Sequence, residues 1–262
     1  MAIVAEMALA GIAATGTEIL EARDVGVRFG GLVALDGVNI ALRRNEIFGL
    51  IGPNGAGKST TVNVLTGFQQ PTSGEVLIDG KSICGWSPHR VARSGVARTF
   101  QAARLFPALS VTENVTVASV NAGGSLAAAR QRAHDILTWI GCAKTADSAA
   151  STLNYSDQRR VAIARALALS PVFILLDEPA AGMNERECDQ LVTLVSEIPE
   201  RWGCGVLLIE HNMAVVMRTC SRILVLDGGK PIAEGTPAAI QANVDVRRAY
   251  LGDKSPPSTA DR

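Results

Sequence analysis

The stretch that most constrains this chain is EIFGLIGPNGAGKST, residues 46–60. An apolar run meets the pattern G-x-x-x-x-G-K-[ST], here Gly52-Pro53-Asn54-Gly55-Ala56-Gly57-Lys58-Ser59, with Thr60 following. The glycines let the backbone turn until successive N–H groups converge on phosphate oxygens. A helix starting at the end of the loop adds its positive dipole end. Lys58 is placed to neutralise β- and γ-phosphates, and the Ser59 hydroxyl to help hold Mg²⁺. Such a loop works only between a strand and a helix. The expected fold is therefore α/β, with phosphate bound at the carboxyl edge of a parallel sheet.

A second apolar run, FILLDE at 173–178, ends in two acids. Alone it would read as a strand end meeting solvent. Beside a phosphate loop, Asp177 becomes the natural partner of Mg²⁺. Glu178 becomes a carboxylate able to polarise water for in-line attack on a γ-phosphate.

Around these two runs the pattern changes along the chain. EILEARDVGVRFGG (18–31) and LVALDGVNIALRR (32–44) read as β, with Gly30-Gly31 and Asp36-Gly37 as turn signals. EVLIDGKSI (75–83) reads as a hairpin turning at Asp79-Gly80. Residues 109–150 are Ala-rich with aliphatic spacing near 3.6, which predicts a small helical lobe, about 102–158, inserted in the α/β core. Helices over about 157–169 and 185–199, strands VFILLDE and GVLLIE, a helix from near 212 and a hairpin in ILVLDGGKPIAEG complete it. The first 17 residues are expected to be a flexible extension: Glu6 breaks their apolar run and no basic segment leads it. The polar, Pro-containing 253–262 reads as a disordered tail.

Composition narrows the function classes. Lys+Arg and Asp+Glu are 25 each, so the formal net charge is zero and a general nucleic-acid binder is disfavoured. Five scattered cysteines without a CxxC pair suit a reduced, intracellular protein. The best membrane-span candidate, VAIARALALSPVFILL, is broken by Arg165 and Pro171, so any membrane role must come through a partner.

Taken in order, these motifs resemble those of the ATP-binding cassette (ABC) ATPases of transporters, over residues 18–252. The resemblance implies a P-loop ABC ATPase core with an N-terminal antiparallel β subdomain and an inserted α-helical lobe. It places Phe29 as the aromatic residue stacking on adenine. Gln101, in ARTFQ, falls at the glutamine that contacts Mg²⁺ and the attacking water. His211 falls at the histidine that senses the γ-phosphate, and 180–184 at the D-loop, with Asn184 replacing an aspartate. FGGLVALDGVNI, ARTFQAARLFPALSVTENV, LLDEPAAGMN and VRRAYLGD resemble the branched-chain amino-acid importer ATPases in particular. Importers of urea or short amides and the lipopolysaccharide-export ATPase share parts of that phrasing. The implied partners are a second ABC ATPase subunit, transmembrane permease subunits whose cytoplasmic helix meets the groove near 84–106, and, indirectly, an external binding protein. The implied location is peripheral, on the cytoplasmic face of the membrane.

One motif departs from the family. Its signature LSGGQ, or LSYGD in the importer subfamily, faces the partner's ATP; here it reads LNYSD, with Asn154 for the serine and Ser156 for a glycine. A lost charge-assisted bond would cost roughly 1.5–3 kcal/mol. A side chain on a left-handed glycine position would cost roughly 1–2 kcal/mol more. The expectation is a weakened half-site, which favours a heterodimer with an unaltered cassette over a homodimer. An ATP-binding regulatory subunit with low turnover is the alternative reading. A soluble ABC ATPase working on DNA or ribosomes is a third, without the extensions such proteins carry.

Overall fold

A computed structural model describes residues 18–251, so the expected N-terminal extension and polar tail lie outside the described residues. Two sheets stack around the phosphate loop. The six-stranded sheet runs β10 (Lys230–Gly235), β9 (Arg222–Asp227), β3 (Ile47–Ile51), β8 (Gly205–Ile209), β7 (Phe173–Asp177), β6 (Val96–Arg98). All its pairs are parallel except the β9–β10 hairpin. The four-stranded antiparallel sheet runs β2 (Leu32–Arg43), β1 (Ile19–Phe29), β4 (Ser73–Ile78), β5 (Lys81–Ser82).

The apolar runs become central strands because both their faces are covered. Every residue of β3 and β8 is buried. Alternation along the strands then divides the core in two. Phe48, Leu50, Phe173, Leu175 and Leu207 pack toward the antiparallel sheet with Leu20, Val38 and Leu42. Ile47, Ile51, Ile174, Leu176, Val206 and Leu208 face the helices on the other side. Those helices include α5 (Tyr155–Leu167), α6 (Glu185–Trp202) and α7 (Met213–Thr219), whereas Val62, Val64 and Leu65 of α1 (Lys58–Leu65) pack on the side of the antiparallel sheet. Helices α2 (Pro88–Arg93), α8 (Pro237–Ala242) and α9 (Val244–Leu251) have no counterpart in the sequence reading, and neither has the three-residue β6.

One turn signal is corrected. Gly30-Gly31 does connect β1 to β2, but Asp36-Gly37 lies inside β2. Val25 pairs with Val38 and Val27 with Leu35, so β2 carries one extra residue there, a β-bulge with Gly37 at φ 70. A bulge and a turn both need a residue tolerant of positive φ, and the dipeptide alone does not separate them.

The helical lobe comprises α3 (Val111–Asn121), α4 (Leu126–Trp139) and two 3₁₀ turns leading to α5. A capping box of Ser110 and Glu113 starts α3. Asn114, without exposure, ties down the incoming loop. Its amide nitrogen donates to the carbonyls of Phe106 (3.1 Å) and Ser110 (2.9 Å), and its oxygen accepts from the Phe106 N–H at 2.8 Å. Trp139, at the end of α4, packs edge-on against Trp202 at the end of α6 and donates to Glu197 at 2.8 Å. Four of the five cysteines are buried free thiols, and Cys84 is exposed. Replacing Asn114 by Leu leaves buried loop groups without partners, and should lower stability by about 2–3 kcal/mol in urea unfolding of the full chain.

Candidate active site

Strand β3 delivers the chain to Gly52, where side chains are barred. A Cβ there would lie 2.2 Å from the Leu226 carbonyl oxygen at the end of β9. Gly57, at φ 99, caps α1, and a Cβ on it would meet Leu35 at 2.6 Å and the Ala34 carbonyl oxygen at 2.9 Å. The loop is thus seated between the two sheets. The Gly228-Gly229 turn joins them: Gly229 N–H donates to Ala56 O (3.2 Å), and Asp36 N–H donates to Gly229 O (2.9 Å).

Lys58 is 7% exposed, and its ammonium curls over the loop to donate to the carbonyls of Gly52 (2.7 Å) and Pro53 (2.9 Å). Burial lowers its pKa, and the nearby Glu178 and Asp177 oppose that shift. Ser59, Asn54 and Gly55 are exposed along the loop, while Thr60 is half-buried.

The other candidate groups arrive on neighbouring parallel strands. Gln101 follows β6, Asp177 ends β7 with Glu178 just after it, and His211 follows β8, so the strand order β8-β7-β6 places them at one carboxyl edge. Glu178 Oε2 accepts from Gln101 Nε2 at 3.1 Å and lies 3.9 Å from His211 Nδ1. Glu178 itself holds φ 46, and its N–H donates to Ile209 O at 2.9 Å.

Asp177 sits deeper. Burial pushes its carboxyl up, Arg98 pulls it down, and Glu178 raises it further. Arg98 approaches Asp177 Oδ2 at 3.3 Å and donates to Asn63 Oδ1 (2.8 Å) on α1 and to Thr66 Oγ1 (3.3 Å) at its C-cap. The rings of Phe68 and Phe100 lie 5.4 and 4.6 Å from its guanidinium carbon. One buried cation therefore ties the phosphate-loop helix to the acidic strand.

The structure sets the remaining candidates apart from this cluster. Phe29 ends β1, half exposed, beside the exposed Leu32. Asn154 is the exposed N-cap of α5: its oxygen accepts from Asp157 N–H at 2.8 Å, and its amide nitrogen donates to Asp157 Oδ2 at 2.9 Å. Ser156 is 7% exposed and lies in the right-handed first turn of α5, so the left-handed penalty expected there does not arise. The helix begins at Tyr155 rather than near 157, because Asn154 caps it. The Tyr155 ring stands 3.3 Å from where a Gly182 Cβ would be. Arg159, 5% exposed, donates to the Tyr155 hydroxyl and, at 3.2 Å, to Phe100 O beside Gln101.

Sequence reasoning missed Arg98, Arg159 and a third charged group, Glu210, which lies fully buried just after β8 and before His211. A charged residue set against an apolar strand or motif was the available signal, visible in VARTFQ and LLIEH.

A family model described as "ABC transporter" matches residues 35–181, more than half of the chain. The chain belongs to the ABC transporter family. A second model, "Branched-chain amino acid ATP-binding cassette transporter", matches residues 230–255 of this cassette. The high-affinity branched-chain amino acid transport ATP-binding protein BraF of Pseudomonas aeruginosa is 42% identical over 250 residues, covering 90% of this chain and 98% of that protein. A crystal structure of the ADP conformation of an ATP-binding cassette of an ABC transporter superposes with a TM-score of 0.81 at 30% identity, covering 90% of this chain and 99% of the other. A dimeric, post-hydrolysis cassette bound to ADP and Pi gives a TM-score of 0.74 at 28% identity, over 83% and 98%. The cassette is an ATP-binding transporter ATPase, and among the described residues no helix is long and apolar enough to cross a membrane.

Removing Arg98 leaves Asp177 buried without its counter-charge. Arg98→Met should destabilise the cassette by about 3 kcal/mol, measured by chemical denaturation of the full chain.

Proposed function

We propose that this cassette is the ATP-hydrolysing subunit of an importer for branched-chain or related amino acids, working at the cytoplasmic face of the membrane through permease subunits and an external binding protein. The relationship to BraF and the match over residues 230–255 support the cargo class. The observation that carries the chemistry is the meeting of Gln101, Glu178 and His211 beside the Lys58 loop.

In this reading Lys58 exchanges loop carbonyls for β- and γ-phosphate oxygens, and the N–H groups of 52–60 cradle the phosphates. Phe29, exposed at the end of β1, stacks on adenine. Glu178 orients and deprotonates the attacking water. Gln101 and His211 hold that carboxylate and the γ-phosphate in place.

The site fits Mg²⁺ in a particular way. Among the described residues no group of three or more His, Cys, Asp or Glu could hold a metal ion. The ion would take Ser59, Asp177 and Gln101 as oxygen ligands, with the nucleotide's phosphates supplying others. When bound, it neutralises charge developing on the transferred phosphoryl group.

The partner's ATP would meet Asn154 and the start of α5. With Ser156 free of backbone strain, the weakness expected there rests on Asn154 and on the room that the Ser156 side chain leaves for the partner's ATP. One of the two N–H donors of the Asn154 amide is spent on Asp157 at 2.9 Å, and the other sits on a longer side chain than serine's hydroxyl. Losing one charge-assisted bond to phosphate is worth roughly tenfold to a hundredfold in closure, which supports pairing with a second cassette that carries an unaltered signature.

Glu178→Gln tests both parts. ATP turnover should fall about a hundredfold or more while ATP still binds, and an unchanged rate would remove Glu178 from the chemistry. Light scattering of this variant with ATP should show a monomer alone and a dimer with a cognate cassette. A stable homodimer would overturn the asymmetric arrangement.

A further inference from the structure

The ladder between β7 and β8 ends at the pair Asp177–Ile209. Beyond it Glu178 turns into the left-handed region, and the two chains diverge. One leads to Ala180-Ala181-Gly182, against which the Tyr155 ring packs; the other carries His211. The side chain of Glu210, with no exposure, fills the space between them. Its Oε1 accepts from the Ala180 N–H at 2.6 Å, and its Oε2 accepts from the N–H groups of His211 (3.2 Å) and Asn212 (3.3 Å). Asn212 in turn caps α7 by accepting from Ala214 and Val215.

A carboxylate with no solvent contact is costly unless its lone pairs are taken. Three backbone donors take them here, from two segments that share no strand pairing at this point. The arrangement joins the backbone of His211 to the segment contacted by the signature helix α5. A glutamine would fill the same volume, yet its NH₂ end would face an N–H donor on one side or the other, so one segment would be released.

We propose that Glu210 is a positioning residue for ATP hydrolysis: a buried strut that fixes the His211 backbone against residues 180–182, so that the placement of one depends on the other. The proposal rests on the role given above to His211, and its test separates the two. Single-turnover ATP hydrolysis by the full chain paired with its cognate cassette, with enzyme in excess so that slow rates stay measurable, is compared for wild type, Glu210→Gln, His211→Ala and the double variant of this chain. Glu210→Gln should lower the rate about tenfold with the Kd for ATP, measured separately by equilibrium binding, within about twofold. In the His211→Ala background it should have no further effect, because the strut acts through that histidine. An unchanged rate in Glu210→Gln, or the same tenfold loss with His211 already removed, would overturn the proposal. A wild-type rate in His211→Ala would instead overturn the role given to His211. Should Glu210→Gln not fold, Glu210→Asp keeps the charge but is one methylene too short to span both segments, and the same cycle decides with it.

Discussion

Everything in the cassette depends on how closely the phosphate loop is held against its surroundings. The Leu226 carbonyl leaves no room for a side chain at position 52, and the Ala34 carbonyl leaves little at 57. Ala56 and Asp36 are tied through the same Gly229. The loop is therefore a joint between the antiparallel and parallel sheets as well as a phosphate cradle. The N–H groups that would meet an anion are fixed by the packing of both sheets, which is what preorganisation of such a site requires.

A second layer of the design lies in buried charge. Arg98 links α1 to Asp177, Arg159 links α5 to the backbone beside Gln101, and Glu210 links the two loops that follow β7 and β8. Each spans elements distant in sequence and has nearly all its surface covered. Replacing such groups by apolar residues of similar size is often neutral for stability, whereas removing one member of a set is not. Their value to the molecule is geometric: they hold particular strand ends and helix starts in register.

How much of this was legible in the sequence follows from the physics of each element. β3, β7 and β8 announced themselves because central parallel strands must be apolar on both faces, and the residues gathered at their ends came with them. β6 was not readable, since three residues carry no period. Asp36-Gly37 was misread because a bulge and a turn ask the same of a glycine. The Ser156 cost was conditional on a left-handed backbone, and the condition fails because position 156 lies in the right-handed first turn of α5. Arg98, Arg159 and Glu210 were missed because their partners lie tens of residues away, and only the fold brings them together.

Glu178 holds a left-handed backbone, φ 46, at the very end of a strand. Glycine and asparagine settle into that conformation readily, while a glutamate pays about 1–2 kcal/mol for it. Neither of the better-fitting residues places a carboxylate between Gln101 and His211. With the role proposed for Glu178, the position is a trade-off between stability and activity: a residue at ease in the left-handed region would stabilise the chain here and remove the carboxylate.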